Sequence, residues 1–253
     1  MLLIDADILV YRLGYSLDKE PDLSDRAVKN SVITAVDIML MDAAELTGHD
    51  EAEFYVTGKT NYRNDVATTA VYKGNRPKEK PIYYQLIRDF IIEKYEAVVS
   101  DNEEADDCIA IRATELDDAV ICSIDKDFDQ VPGWHYNWVK HKNPKSSKKD
   151  YYYEISPEEG LLYFYRQILT GDRVDNIIGI HGIGAVKSKK ILEGLTEQEM
   201  YAKCVELYEG SEERVIENAR LLWLRREKDQ LWMPPNEDTK QEKETHKETT
   251  KEL

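Results

Sequence analysis

Two short apolar runs in this chain, residues 2–4 and 119–124, each hand over directly to an aspartate, Asp5 and Asp125. Apolar runs of that length have the dimensions of buried strands. Two further runs, 54–57 (closed by Gly58) and 97–99, have the same character, while 27–46 and 82–95 place apolar residues at helical spacing. Helices alternating with short apolar strands predict an α/β fold with a mainly parallel central sheet flanked by helices. In such sheets sites form at the carboxyl ends of strands, where Asp5 and Asp125 stand.

Residues 59–81 turn polar, with Gly74, Pro77 and Pro81, and form a long excursion from the core. A lysine-rich stretch, 141–149, leads to residues 151–155, and mostly helical segments follow from Pro157 to Met233. The expected organisation is a core over 1–166 that includes the 59–81 excursion, a helical region over 167–235, and a Lys/Glu/Thr tail over 236–253 too polar to fold alone.

With 42% hydrophobic and 33% charged residues, the chain reads as a soluble globular protein. Asp5, Asp7 and Arg12 interrupt the apolar start, which has neither a signal peptide's basic region nor its cleavage site, so a cytoplasmic, membrane-free location is expected. Cys108, Cys122 and Cys204 are far apart and odd in number, which disfavours disulfides and zinc. The net charge of −16 weighs against a nucleic-acid partner only on average, because acids and bases gather in separate clusters.

Four acidic groups stand out: Asp5 with Asp7; Glu103, Glu104, Asp106 and Asp107; Asp125, Asp127 and Asp129; and Asp172 with Asp175. On a helix starting near Glu103, Glu104 and Asp107 share a face and Asp106 lies one step around it. In an extended segment Asp125 and Asp127 point to one side. Each group singly also suits a solvated helix cap. Together they repel unless cations neutralise them, and hard oxygen donors without His or Cys favour Mg²⁺ or Mn²⁺. Two such ions support in-line hydrolysis of a phosphodiester.

The run 177–184, IIGIHGIG, is followed by Lys187, Lys189 and Lys190. A Gly182–Gly184 turn between helices can bring backbone N–H groups to a phosphate, although packing two helices explains the glycines as well. Placing these lysines in a helix's first turn opposes the dipole preference and suits a turn that faces DNA. In the polar excursion Tyr72, Lys73 and Arg76 combine a ring with cations, as single-stranded DNA requires, and a solvated loop explains the charges equally well.

These stretches resemble, in order, the motifs of the 5′–3′ exonuclease/flap-endonuclease family, its phage-type branch in particular. LLIDADILVYR resembles the opening strand, VYKGNRPKEKP the arch, EEADDCIAI the acidic helix, SIDKDFDQ the second acidic strand end, and GDRVDNIIGIHGIGAVKSKKIL the helix-three-turn-helix. The resemblance implies a PIN-like core with a helical arch and a C-terminal helix-hairpin-helix. It implies a first metal site from Asp5, Glu104, Asp106, Asp107 and Asp125, and a second involving Asp127, Asp172 and Asp175. By the same resemblance Lys73 and Arg76 act on the scissile phosphate and Tyr72 stacks on DNA beside it. Gly182, Gly184 and the lysines after them hold duplex DNA, with K⁺ as a further ligand of the hairpin. Asp7 departs from the family pattern as an extra acid, and the arch is lean in basic residues. The implied protein is a monomeric phosphodiesterase acting on duplex DNA with a free 5′ end, nick or flap, or on an RNA–DNA hybrid, in replication or repair. A non-catalytic DNA-structure-binding protein and a metal-dependent phosphatase or nucleotidase are the alternatives.

Overall fold

The computed structural model describes residues 1–76 and 79–235, so the tail expected over 236–253 lies outside the described residues. The chain forms two compact units. Among the described residues, the first comprises Met1–Asp65, Arg76–Gly160 and Leu224–Gln230; the second comprises Val66–Asn75, Leu161–Trp223 and residues 231–235. The boundary falls at 160/161 rather than 166/167, and the 59–81 excursion is divided between the units.

The first unit is built on β1 (Leu2–Asp5), β2 (Ala52–Val56), β3 (Val98–Val99), β4 (Val120–Cys122), β5 (Gly133–Tyr136) and β6 (Tyr152–Ile155). They order as β3-β2-β1-β4-β5-β6, with only the β5–β6 pair antiparallel. The mainly parallel sheet flanked by helices is therefore present. In β1, Leu2 and Ile4 join one core while Leu3 joins another; β2 and β4 divide alike, Tyr55 and Ile121 siding with Leu3. Strand side chains alternate between faces, and a sheet covered on both faces needs apolar residues at every position. That requirement accounts for the unbroken apolar runs.

On the first face lie α1 (Ala6–Leu17), α2 (Asp25–Thr47) and α4 (Tyr84–Tyr95). The second face is covered by α5 (Ala105–Glu115). Helix α1 is absent from the sequence reading: its apolar residues run on from β1 without a turn signal, and only Asp5, its N-cap, marks the break. The excursion holds a single four-residue helix, α3 (Arg63–Val66), and no helical arch forms among the described residues. Two short helices, α6 (Trp138–His141) and α7 (Lys148–Tyr151), bridge β5 to β6.

The second unit contains α8 (Pro157–Thr170, its first turn in the first unit), the ladder β7 (Gly171–Asp172) with β8 (Ile177–Ile178), α9 (Ala185–Leu192), α10 (Glu197–Leu207) and α11 (Glu212–Leu222). Phe164, Tyr165, Ile168 and Leu169 of α8 pack with Ile183, Leu192, Val215 and Ala219 in its core. Between α8 and α9 lie residues 171–184, which carry the β7–β8 ladder and then the turn through Gly182, so more chain separates the two helices than the tight turn expected from IIGIHGIG. No helix among the described residues is long and apolar enough to cross a membrane.

Candidate functional site

Because β1, β2, β3 and β4 are parallel, their last residues meet at one edge of the sheet. Asp5 ends β1, is buried, and caps α1 by accepting the Ile8 N–H at 3.3 Å. The Ser123 hydroxyl donates to Asp5 Oδ2 at 2.6 Å and accepts the Asp125 N–H at 3.0 Å, so one serine ties the ends of β1 and β4 together. Burial raises the Asp5 pKa to about 7; the negative charges of Asp7 and Asp125 add to it, and the Ser123 hydrogen bond opposes it. A carboxyl held near neutrality among other carboxylates is relieved by a cation.

At the end of β2, Thr57 joins three elements. Its N–H donates to Asp7 Oδ2 at 2.9 Å, its hydroxyl accepts the Ala105 N–H at 3.0 Å, and its carbonyl accepts from Arg88 Nη2 at 2.8 Å. Thr57 went unnoticed in the sequence because a strand-end threonine carries no charge signal. The following Gly58 is required by close approach, since a Cβ there would lie 2.0 Å from the Ser100 carbonyl oxygen.

The acidic helix differs from its sequence reading in one important respect. It begins at Ala105, with Glu104 as N-cap and Asp107 at the third position of a capping box. Asp107 is fully buried. Its Oδ2 accepts from Arg63 Nη1 at 2.5 Å and the Glu104 N–H at 3.1 Å, and its Oδ1 from Arg63 Nη2 at 2.9 Å and the Arg225 N–H at 3.1 Å. Four donors fill the roughly four lone-pair directions of a carboxylate, so Asp107 is a structural ion-pair partner and not a free metal ligand. Burial would raise its pKa, but the Arg63 charge and these hydrogen bonds outweigh it and hold the carboxyl below the usual carboxylate range. Glu103 is committed likewise, to buried Arg225 at 3.0 Å, whose guanidinium stacks 3.8 Å from the Tyr62 ring centroid. Arg63 and Arg225 lay hidden in the sequence because basic residues in a polar stretch and a late helical segment read as solvated.

Glu104 and Asp106 remain at the edge of this helix, Glu104 buried and 3.9 Å from Arg63, Asp106 half-buried. Asp125 is the N-cap of a 3₁₀ turn, Lys126–Gln130, and accepts the Asp127 N–H at 2.9 Å. The expected extended alternation of Asp125 and Asp127 therefore does not hold: the turn carries Asp127 around the axis, where Lys126 lies 3.7 Å from it. Asp129 accepts from the Tyr153 hydroxyl at 2.9 Å. Among the described residues no three His, Cys, Asp or Glu side chains converge on one point as a closed metal cage. The donors that suit a hard cation, Asp5, Glu104, Asp106, Asp125 and Asp127, are all carboxylates of the first unit. Arg76 also falls in this unit, and Lys78 lies outside the described residues.

In the second unit Asp172 is buried and closes its own turn, accepting the Val174 and Asp175 N–H groups at 2.6 and 3.2 Å. Asp175 accepts the Tyr72 hydroxyl at 3.0 Å and stands 3.7 Å from Lys73 Nζ. Tyr72 is thus packed in this unit's core, its ring not presented as a stacking surface for DNA. In the hairpin Gly182 adopts φ +79°, a conformation that favours glycine, whereas Gly184 has φ −100° and open space around it. Lys187, Lys189 and Lys190 are exposed. Lys189 and Lys190 sit in the last turn of α9, where the dipole favours them, so only Lys187 opposes it.

No family model matches this chain. It is 26% identical over 236 residues to DNA polymerase I of Bacillus subtilis (strain 168), covering 83% of this chain, and 26% identical over 215 residues to DNA polymerase I of Bacillus caldotenax, covering 76%. The chain spans about a quarter of the length of these curated relatives, 25% and 23%. Among solved structures it is similar to the bacteriophage T5 5′-exonuclease with bound zinc, at TM-score 0.64 and 17% identity over 88% of each chain. It is equally similar, at TM-score 0.64 and 16% identity over 87% of this chain and 88% of the other, to the T5 flap endonuclease in a pseudo-enzyme–product complex with DNA and metal ions. By this likeness the chain has the fold of the bacteriophage T5 5′-exonuclease.

Proposed function

We propose that this protein is a divalent-metal-dependent 5′ nuclease that hydrolyses phosphodiesters near the 5′ end of DNA. The observation that carries the reading is the Asp5–Ser123–Asp125 link at the carboxyl edge of the sheet, with the Asp5 pKa raised to about 7. Asp5, Glu104, Asp106, Asp125 and Asp127 are the residues assigned to hold Mg²⁺ or Mn²⁺. When bound, such ions activate a water and stabilise the attacking and leaving oxygens. The protein's own part is to surrender the Asp5 proton, to keep Asp5 and Asp125 aligned through Ser123, and to hold the acidic helix through Thr57.

Lys73 and Arg76 are assigned to the phosphate, Lys73 by exchanging Asp175 for it. The hairpin of Gly182 and Gly184, with Lys187 leading, is assigned to the duplex backbone, contacts that carry no base specificity. A part for Asp172 and Asp175 in ion binding is open to test by Asp175→Asn. The second reading, a DNA-structure-binding protein without chemistry, is favoured by the absence of a closed carboxylate cage among the described residues.

Cleavage of 5′-labelled flap, nicked, blunt and RNA–DNA hybrid substrates, with Mg²⁺ or EDTA, separates the two. A metal-dependent 5′ nuclease should give short products in Mg²⁺ and none in EDTA. DNA binding without cleavage in either would favour the second reading.

A further inference from the structure

The stretch from Lys140 to Lys149 carries five exposed lysines, at 140, 142, 145, 148 and 149, and no acid, in a chain of net charge −16. It is firmly built. The Asn137 side chain accepts the Lys140 N–H at 2.9 Å, and His141 stacks on Tyr151 with centroids 4.4 Å apart while its Nδ1 lies 2.8 Å from the Tyr136 hydroxyl. Ser147 and Asp150 form a capping box that starts α7. Holding like charges together in a fixed shape costs free energy unless an anion meets them.

Topology says where that anion lies. Strand β5 is parallel to β4, so α6 leaves the sheet at the edge that carries Asp5 and Asp125. The base of α6 is two strands from β1, roughly 10 Å at the usual strand spacing. The Tyr153 hydroxyl, on the strand that directly follows α7, donates to Asp129 at 2.9 Å, which ties the end of the basic segment to the 3₁₀ turn that Asp125 caps.

We propose that the α6–α7 segment is a phosphate-binding rail for duplex DNA flanking the scissile bond. The proposal rests on the nuclease reading above and adds a contact surface separate from the hairpin. Lys142 already pairs with Asp42, so Lys140, Lys145, Lys148 and Lys149 carry the contact.

The test uses the full chain with Lys140, Lys145, Lys148 and Lys149 all changed to Gln, beside an all-Arg version and Lys203→Gln, a lysine of the second unit, as control. Binding of a flap duplex is followed by anisotropy in Ca²⁺ from about 50 to 200 mM salt. Each lost phosphate contact flattens the slope of log K against log salt by about 0.9, so the Gln variant, which removes four, is expected to lose roughly three to four units of slope. The Arg version and Lys203→Gln should keep the wild-type slope. A Gln variant with the wild-type slope, where the wild type binds DNA, would overturn this inference alone. A wild type with no duplex binding would overturn it together with the nuclease reading. An unchanged DNA slope with lost binding to anionic phospholipid vesicles would assign the lysines to a membrane instead and overturn it.

Discussion

Arg63 forks onto Asp107 with both guanidinium arms, Nη1 to Oδ2 at 2.5 Å and Nη2 to Oδ1 at 2.9 Å, and both side chains are buried. This pair, with Arg225 on Glu103, fastens the start of α5 to residues 62–63 and 225 of the same unit. Part of the chain's acidity thus serves as architecture.

Asp107→Asn should therefore unfold the protein more easily, by about 3–5 kcal/mol in urea titrations, because it strands the buried Arg63 charge. The folded pKa of Asp107 is depressed, so its contribution is complete above the usual carboxylate range and disappears as pH falls through the folded value. An Asp107→Asn protein as stable as wild type would refute the structural assignment.

The sheet was legible in the sequence because burial on both faces leaves an uninterrupted apolar signature, as at Leu2, Leu3 and Ile4. Asp5 and Asp125 were legible because each ends such a run. Asp107 was misread because helical spacing says which face a residue takes but not which cation waits there. Tyr72 was misread for a similar reason: its polar neighbours hid the core that receives it. Thr57 and Ser123 left no trace, since short hydroxyl side chains are common at strand ends whether or not they organise a site.

Metal affinity should depend on pH through Asp5. Its folded pKa is raised to about 7, so in the ion-free protein its ionisation costs stability as pH rises from the ordinary carboxylate value toward 7. A bound ion must displace that proton. Calorimetric Mn²⁺ titrations should show affinity rising about tenfold per pH unit below 7 and levelling above it. A flat profile between pH 5 and 7, taken as about two tenfold steps, would exclude Asp5 as a ligand.

Glu217 secures the segment that carries Lys73. Its Oε1 accepts the Thr68 and Thr69 N–H groups, each at 2.7 Å, and its Oε2 accepts the Thr69 hydroxyl at 2.6 Å. Burial would raise its pKa, yet these bonds and Arg214 bring it to about 2. The stabilisation should be complete above the ordinary glutamate range and fade as pH falls toward 2. Glu217→Ala should speed hydrogen exchange at Thr68 and Thr69 by on the order of tenfold or more, the loss of about 1.4 kcal/mol of local protection. Unaltered protection would mean the segment is held by its apolar contacts.

The two hairpin glycines should part company. Gly182→Ala must adopt a left-handed φ of +79° and should cost about 1–2 kcal/mol in stability. Gly184→Ala meets neither strain nor a neighbour, so thermal unfolding should be nearly unchanged while duplex affinity falls if a phosphate approaches the turn there. Equal destabilisation by both changes would contradict the conformational distinction.

The most direct measurement is single-turnover cleavage of a 5′-flap duplex in Mg²⁺ by wild type and by Asp125→Asn, with unfolding midpoints taken on the same preparations. The wild type should cleave, and EDTA should abolish that cleavage. Asp125→Asn should be slower by on the order of a thousandfold or more, about 4 kcal/mol in barrier, with its stability nearly unchanged. Cleavage by Asp125→Asn at the wild-type rate, or by wild type in EDTA, would contradict it.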